Sequence, residues 1–181
     1  GNQKTLTISF WTKLGRLSDN GRTVFSSGYN TSATDRNQID VVFAGNDRFQ
    51  FEQYGRPAPD ANNTNYYSRD LDKKDRDIST WYHVLISFDS TLDEQYDRAK
   101  VYINGIREDK DSSTNAFPQN YELPIGDLAN QIGIRIGAGV GAMQYDGTYF
   151  RGSVSDYFFI DGQALGPEDF GYYKKGDGYM S

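Results

Sequence analysis

An all-β, antiparallel sandwich is the fold class this sequence predicts, on three observations. The composition, with 19 Gly, 14 Tyr and 11 Phe against 2 Met, favours turns and pleated strands over helix. Short segments alternate apolar and polar residues, the period of a half-buried strand. Turn signals separate these segments and no 3.6-residue pattern outlasts a single turn, which suits sheet packed on sheet rather than a parallel α/β arrangement. The 181 residues match one domain, 1–181. The chain does not begin with Met, so it reads as a segment of a longer protein.

In "LTISFWTKL", Leu6, Ile8, Phe10 and Leu14 share one face, and Thr7, Ser9, Trp11 and Lys13 share the other. "RTVFSSGY" reads as a second strand and "NQIDVVFAG" as a third, with Ile39, Val41 and Phe43 inward. "DRFQFEQYG" follows a turn-rich "AGND" as a hairpin partner. There Phe49 and Phe51 face the core, and Gln50 and Glu52 face water. Residues 55–77, with two prolines, an Asn run and dense mixed charge, predict a long surface loop. In "STWYHVLISFD", Tyr82, Val84, Ile86 and Phe88 share a face. "AKVYINGI" turns Val101 and Ile103 inward and ends on Asn104-Gly105, a strong hairpin signal.

A second long loop is expected over about 107–130 and a third over 138–149. Between them "QIGIRIGAG" aligns Ile132, Ile134 and Ile136. In "YFRGSVSDYFFI", strict alternation puts Phe150, Gly152, Val154, Phe158 and Ile160 on the core side, and with them Asp156, which then needs a hydrogen-bond partner. "GPEDFG" predicts one helical turn, with Pro167 at its start and Gly171 at its end. About eight strands result, and no internal repeat.

Charge and composition exclude several classes. A net charge of −6, from 25 acidic and 19 basic residues, lacks the basic footprint of a nucleic-acid binder. No stretch reaches the ~18 apolar residues of a membrane helix, so no membrane insertion is expected, and the N-terminus has no signal-peptide pattern. The absence of cysteine removes disulfides, thiolate metal sites and a Cys nucleophile.

Four stretches carry a more specific signal: "KTLTISFWTKLGRL", "STWYHVLISFDST", "RAKVYINGIRE" and "YFRGSVSDYFFIDGQALGPEDFG". In this order and spacing they resemble the laminin-G-like, concanavalin-A-like jelly-roll domains of tailed-phage virion proteins, across essentially the whole chain. Such domains usually carry a further strand ahead of "KTLTISFW" and a longer extension after "DFG", which here shrinks to "YYKKGDGYMS". The resemblance implies a jelly-roll β-sandwich in a tail fibre, spike or capsid decoration, located in the virion. Its partners would be other virion proteins, further copies of the chain in a homo-oligomer, and host-surface glycans. An edge left open by a missing strand would need cover.

Glycoside hydrolysis needs two carboxylates flanking the bond, and no E-x-D-x-E triplet occurs on any strand. No catalytic residue is therefore assigned. His83, the single histidine, would have to serve any Ser–His–Asp triad or zinc site. It reads instead as a strand histidine, opposite in facing to Val84 and Ile86 and hydrogen-bonded to a neighbouring strand.

Calcium wants six to eight oxygens, and Asp35, Asp89 and Asp146 are the candidates where loops could converge. No EF-hand string is present, and Asp also favours turns for its own backbone hydrogen bonds. No cofactor is expected beyond calcium as an option. "GIRIGAGVGA" lacks the Lys-Ser/Thr and the helix of a phosphate loop, and "DLDKKDRD" is a solvated face of mixed sign. The sequons at Asn30 and Asn62 are incidental in a phage setting.

For glycan binding the candidates are the tyrosines Tyr54, Tyr66, Tyr67, Tyr145 and Tyr149, with Tyr29, Asn30 and Gln144 as further loop residues. Loop tyrosines serve equally as protein contacts or as packing on the core edge, and the sequence leaves these three open. The function expected is a non-enzymatic virion structural module. A glycan-binding lectin domain is the alternative, and a hydrolase or lyase stands third.

Overall fold

The computed structural model describes residues 2–17, 22–32, 35–44, 47–56, 65–74, 77–109, 115–125, 133–139, 149–174 and 178–180. They form two five-stranded antiparallel sheets and a small hairpin, the β-sandwich expected. In chain order the strands are β1 (Thr5–Leu14), β2 (Arg22–Ser32), β3 (Asp35–Phe43), β4 (Arg48–Arg56), β5 (Asn65–Lys74) and β6 (Tyr82–Asp89). There follow β7 (Ala99–Ile103), β8 (Ile106–Arg107), β9 (Gly133–Ile136), β10 (Gly152–Asp161), β11 (Tyr172–Lys174) and β12 (Gly178–Met180). The first sheet has the order β10-β1-β6-β7-β8, the second β5-β4-β3-β2-β9, and β11 pairs with β12.

The core is made by the faces that alternation selects. Leu6, Ile8, Phe10, Val84, Ile86, Phe88, Val101 and Ile103 from the first sheet meet Phe25, Ile39, Val41, Phe43, Phe49 and Phe51 from the second. Asn104 and Gly105 both have positive φ (51° and 76°), the two-residue turn that matches strand twist. The turn at "GPEDFG" forms over Pro167–Asp169, with the Asp169 carboxylate accepting from the Gly166 amide at 3.0 Å.

Two expectations are corrected. Residues 55–77 are not one loop: β4 runs to Arg56 and β5 occupies Asn65–Lys74, paired with β4 through seven registered positions from Arg48↔Lys74 to Gly55↔Asn65. Asp70 and Asp72 lie on the outward positions of this edge strand and pair with Arg48 of β4, while Tyr67, Arg69 and Leu71 lie on its other face.

The described part of 107–130 is irregular, yet Phe117 (1% exposed) and Leu123 (0%) are core residues. Phe117 sits 5.4 Å from Phe51 and 5.2 Å from Phe88 between ring centroids. Arg98 donates to the carbonyls of Leu92, Asp93 and Phe117, pinning this segment down.

In β9, Ile134 and Ile136 share a face as expected and are 52% and 56% exposed. They lie on an edge strand, and Ile134 lines an open recess of about 270 Å³ with Leu6, Ile125 and Phe159, where the two sheets part. Ile132 lies outside the described residues.

The second correction concerns β10. Against β1 the register is Ser9↔Phe158 and then Trp11↔Ser155, so Asp156 and Tyr157 together oppose Phe10 in a β-bulge. Asp156 takes φ 48°, a left-handed conformation that Asp tolerates better than most residues. The extra residue flips the alternation. Beyond it Tyr157 and Phe159 face the core, stacking on Phe10 and Phe25, while Phe158 turns out against Phe170 at 5.8 Å. Phe150 and Val154, ahead of the bulge, pack on the core as expected. Asp156 is exposed and accepts from the Ser155 hydroxyl at 3.0 Å.

The chain after β10 folds back over the outer face of the first sheet. Thr7 donates to the Gln163 carbonyl at 2.7 Å and accepts from the Leu165 amide at 2.8 Å. Tyr179 of β12 lies 4.7 Å from the His83 ring. That face is clasped, and the other broad face of the sandwich is the outer side of the second sheet.

Candidate functional site

Two cross-strand rows span that face. Arg135, Ser26, Asp40, Glu52 and Ser68 are successive register partners through β9, β2, β3, β4 and β5. Gly133, Gly28, Gln38, Tyr54 and Tyr66 form the next row in the same strand order. They point outward because the residues between them, Ile39, Val41, Phe49 and Phe51, fill the core. Directly opposed residues have Cβ atoms ~5 Å apart, so the rows make one continuous polar strip.

Gly28 is required in its row. Its φ of +119° is open to glycine, and a Cβ there would run into the Asn37 carbonyl.

The strip is tightly interlocked. The Tyr54 and Tyr66 rings lie 4.6 Å apart, and both hydroxyls donate to the same Glu52 Oε2, at 3.3 and 3.0 Å. The Arg36 guanidinium sits 4.5 Å over the Tyr54 ring, a cation–π contact. Gln38 Nε2 donates to Asp40 Oδ2. Among the described residues Gln38 Oε1, Asp40 Oδ1 and Arg36 Nε are buried and find no hydrogen-bond partner, and buried polar groups need one.

Burial and neighbouring charge set the protonation. Glu52 is lifted to about 7, first by burial and then by the Asp40 carboxylate beside it, against the pull of the two tyrosine hydroxyls. Burial also raises Asp40, opposed by hydrogen bonds from Ser26 and Gln38 and by the charge of Arg36. Tyr66 is pushed up to about 12 and Tyr54 further up, chiefly by burial and then by the Glu52 charge. Near neutral pH Glu52 therefore exchanges between acceptor and O–H donor.

Of the tyrosines predicted as candidates, Tyr54 and Tyr66 come together here. Tyr67 does not join them: it turns to the other face of β5 and packs on Phe117 and Tyr121 at 5.9 and 5.2 Å. Tyr149 bridges to Thr23, away from both rows. Tyr145 lies outside the described residues.

The sequence search missed Arg36, Gln38, Asp40 and Glu52. It sought carboxylates at i, i+2, i+4 on one strand, whereas this pair is made across two. The legible signal was alternation, since "NQIDVVF" and "RFQFEQY" put Asp40 and Glu52 on outward positions. Glu52 does face outward, yet it is 9% exposed rather than in water, because the two tyrosines cover it.

Among the described residues no three of His, Asp and Glu gather as a metal cage. Asp89 caps a turn, accepting from the Thr91 amide and hydroxyl at 2.9 and 2.6 Å. Asp146 and the Asp35 side chain lie outside the described residues. His83 is buried, with Nε2 2.9 Å from the Ser9 hydroxyl of β1, as expected of a strand histidine. Among the described residues no helix is long and apolar enough to cross a membrane.

Known proteins place this architecture. Over 93% of the chain it superposes on 81% of the CBM40 carbohydrate-binding module of a Ruminococcus gnavus IT-sialidase, at TM-score 0.62 and 12% identity. The same module has been solved bound to α2,3-sialyllactose. Domain 4 of a GH43 extracellular arabinanase from Geobacillus stearothermophilus, in complex with arabinotriose, matches at TM-score 0.56 and 18% identity, over 90% of this chain and 63% of that one. A heptameric SAP-like pentraxin from Limulus polyphemus matches at 0.51 and 19%, over 90% and 65%. These likenesses concern the fold. No curated protein sequence matches significantly. A family model matches residues 1–169, and the chain belongs to the concanavalin A-like lectin/glucanases superfamily.

Proposed function

We propose that this chain is a non-enzymatic glycan-binding module that holds a hydroxyl-rich saccharide on the outer face of its second sheet. The observation that carries the reading is the Tyr54–Tyr66 pair held against the Asp40–Glu52 row. Aromatic faces offer a surface on which a sugar ring stacks. The amide, guanidinium and carboxyl groups beside them supply both donors and acceptors for hydroxyls. The saccharide-bound structures of similar fold, with sialyllactose and with arabinotriose, support the class of ligand.

Catalysis is not part of the reading. A glycosidase pushes the pKa values of its two carboxyls apart to make one acid and one base, whereas burial here raises both. Titration calorimetry against sialyllactose, arabino-oligosaccharides and neutral polysaccharides tests the proposal. Saturable binding that Tyr66→Ala and Asp40→Asn each weaken at least tenfold, at unchanged fold, supports it. No binding across the panel, binding indifferent to both changes, or shortened polysaccharide products would overturn it.

We also propose that the module is carried on a phage particle, in contact with other virion proteins and further copies of itself. The motif at 149–171 supports this setting. Immunogold labelling of purified particles with an antibody to this domain should decorate tail, spike or capsid, and unlabelled particles would refute it.

A further inference from the structure

The sequence contains 2 tryptophans, and both line one recess on the opposite side of the sandwich from the Tyr54–Tyr66 strip. Trp11 points outward from β1 and Trp81 immediately precedes β6. Together with Ser155 and Asp156 they line an open pocket of about 340 Å³, within the size range of small-ligand sites. Trp81 is 40% exposed. Trp11 is half-buried, its ring 5.2 Å from His83 and 6.3 Å from Tyr179, so the clasped chain end fixes its orientation.

Asp156 reaches this pocket through the bulge. Strict alternation would have turned it into the core; the extra residue and its φ of 48° place the carboxylate outside, beside the indoles. A non-glycine residue held in that region carries local strain that the surrounding structure must sustain, and such outliers cluster at ligand sites. The Ser155 hydroxyl donates to the same carboxylate at 3.0 Å, which leaves the pocket rich in acceptor and π surface.

Among the described residues, no Lys or Arg lines it. Lys13, the next outward residue of β1, acts on Asp77 instead: Asp77 is held below its ordinary carboxyl value mainly by hydrogen bonds from Ser79, with Lys13 adding to the effect.

We propose that the Trp11–Trp81–Asp156 recess is a binding site for a quaternary ammonium group. Indole faces attract cations more strongly than other aromatic rings, and desolvated ammonium groups are bound in aromatic cages closed by a carboxylate. A methylated ammonium also suits an open, largely apolar recess, because it donates no N–H that would need a partner. This site is independent of saccharide binding on the other sheet.

Because both tryptophans line the recess, the intrinsic fluorescence of the intact chain reports on it directly. Choline and Nε-trimethyllysine are titrated beside the neutral isostere of choline in which carbon replaces nitrogen. Saturable quenching by either cation, at least tenfold tighter than by the isostere, supports the site, and the tighter of the two indicates the biological source. Trp81→Ala and Asp156→Asn should each weaken binding by roughly tenfold. Asn also tolerates the left-handed backbone, so the second variant keeps the bulge. Equal quenching by cation and isostere, no saturation, or cation binding unchanged in both variants would overturn the proposal.

Discussion

Asp40 and Glu52 are direct register partners on β3 and β4, two carboxyls side by side on a sheet face and both largely withdrawn from water. Glu52 titrates near 7, while His83, buried in the other sheet, is lowered to about 4 by burial. The two groups act on stability with opposite sign. A folded Glu52 keeps its proton between about pH 4.5 and 7 while the unfolded chain has lost it, so its contribution is present below 4.5 and lost as pH rises through 7. The unfolded chain protonates His83 below about 6.5, the folded chain only near 4, so that contribution is lost as pH falls across this window. Each is worth roughly 3 kcal/mol.

In the wild type these two slopes should therefore oppose each other between about pH 4.5 and 6.5. Glu52→Gln should expose the histidine slope, with Tm falling on acidification. His83→Gln should expose the opposite slope. Calorimetric scans across pH 4–8 check this, and variants whose Tm follows the wild-type pH profile would sink the assignment.

Phe117 lies in a segment without regular structure, yet it touches Phe51, Phe88, Tyr67 and Tyr121. Phe117→Ala should cost about 3–5 kcal/mol, the range for a large core aromatic. Urea unfolding measures it, and a loss below 1 kcal/mol, usual for surface loops, would contradict its place in the core.

Gly105 has φ +76°, and a Cβ there would meet the Tyr179 ring. Gly105→Ala should destabilise by roughly 1–2 kcal/mol, from backbone strain and from that clash. In a Tyr179→Ala background the cost should shrink to the backbone part. A double-mutant cycle with no coupling would mean that the C-terminal hairpin does not rest on this turn.

At Asp156 the backbone requirement is separable from the carboxylate. Asp156→Gly should leave stability within about 0.5 kcal/mol of wild type, because Gly adopts positive φ without strain. Asp156→Val should lose about 1–3 kcal/mol, since a β-branched residue at positive φ is a true outlier. Chemical denaturation of the two variants separates them, and equal stabilities would argue against the bulge.

Much of the fold was readable where alternation was unbroken and flanked by turn residues. β1, β3, β4, β6 and β7 matched because their inner faces are runs of Leu, Ile, Val and Phe that have one way to be buried. The Asn104-Gly105 turn matched because its backbone demands are local. β5 was not readable: its polar residues outnumber its apolar ones, and pairing with β4, a non-local event, makes it a strand. Phe158 was assigned to the wrong face because one extra residue at Asp156 reverses the parity, and a bulge shows only when the partner strand is present.

The candidate site divides the same way. Tyr54 and Tyr66 could be picked out singly as aromatics able to meet a sugar. Their partnership with Asp40 and Glu52 could not, since apart from Glu52 and Tyr54, two residues apart on β4, it joins residues 12 to 26 positions apart through register. By itself, then, the sequence determined an all-β sandwich, which faces of its regular strands are apolar, and, through its closing motif, the family. Tertiary structure decided which polar residues meet, because hydrogen-bond register across strands sets those contacts and no local pattern encodes it.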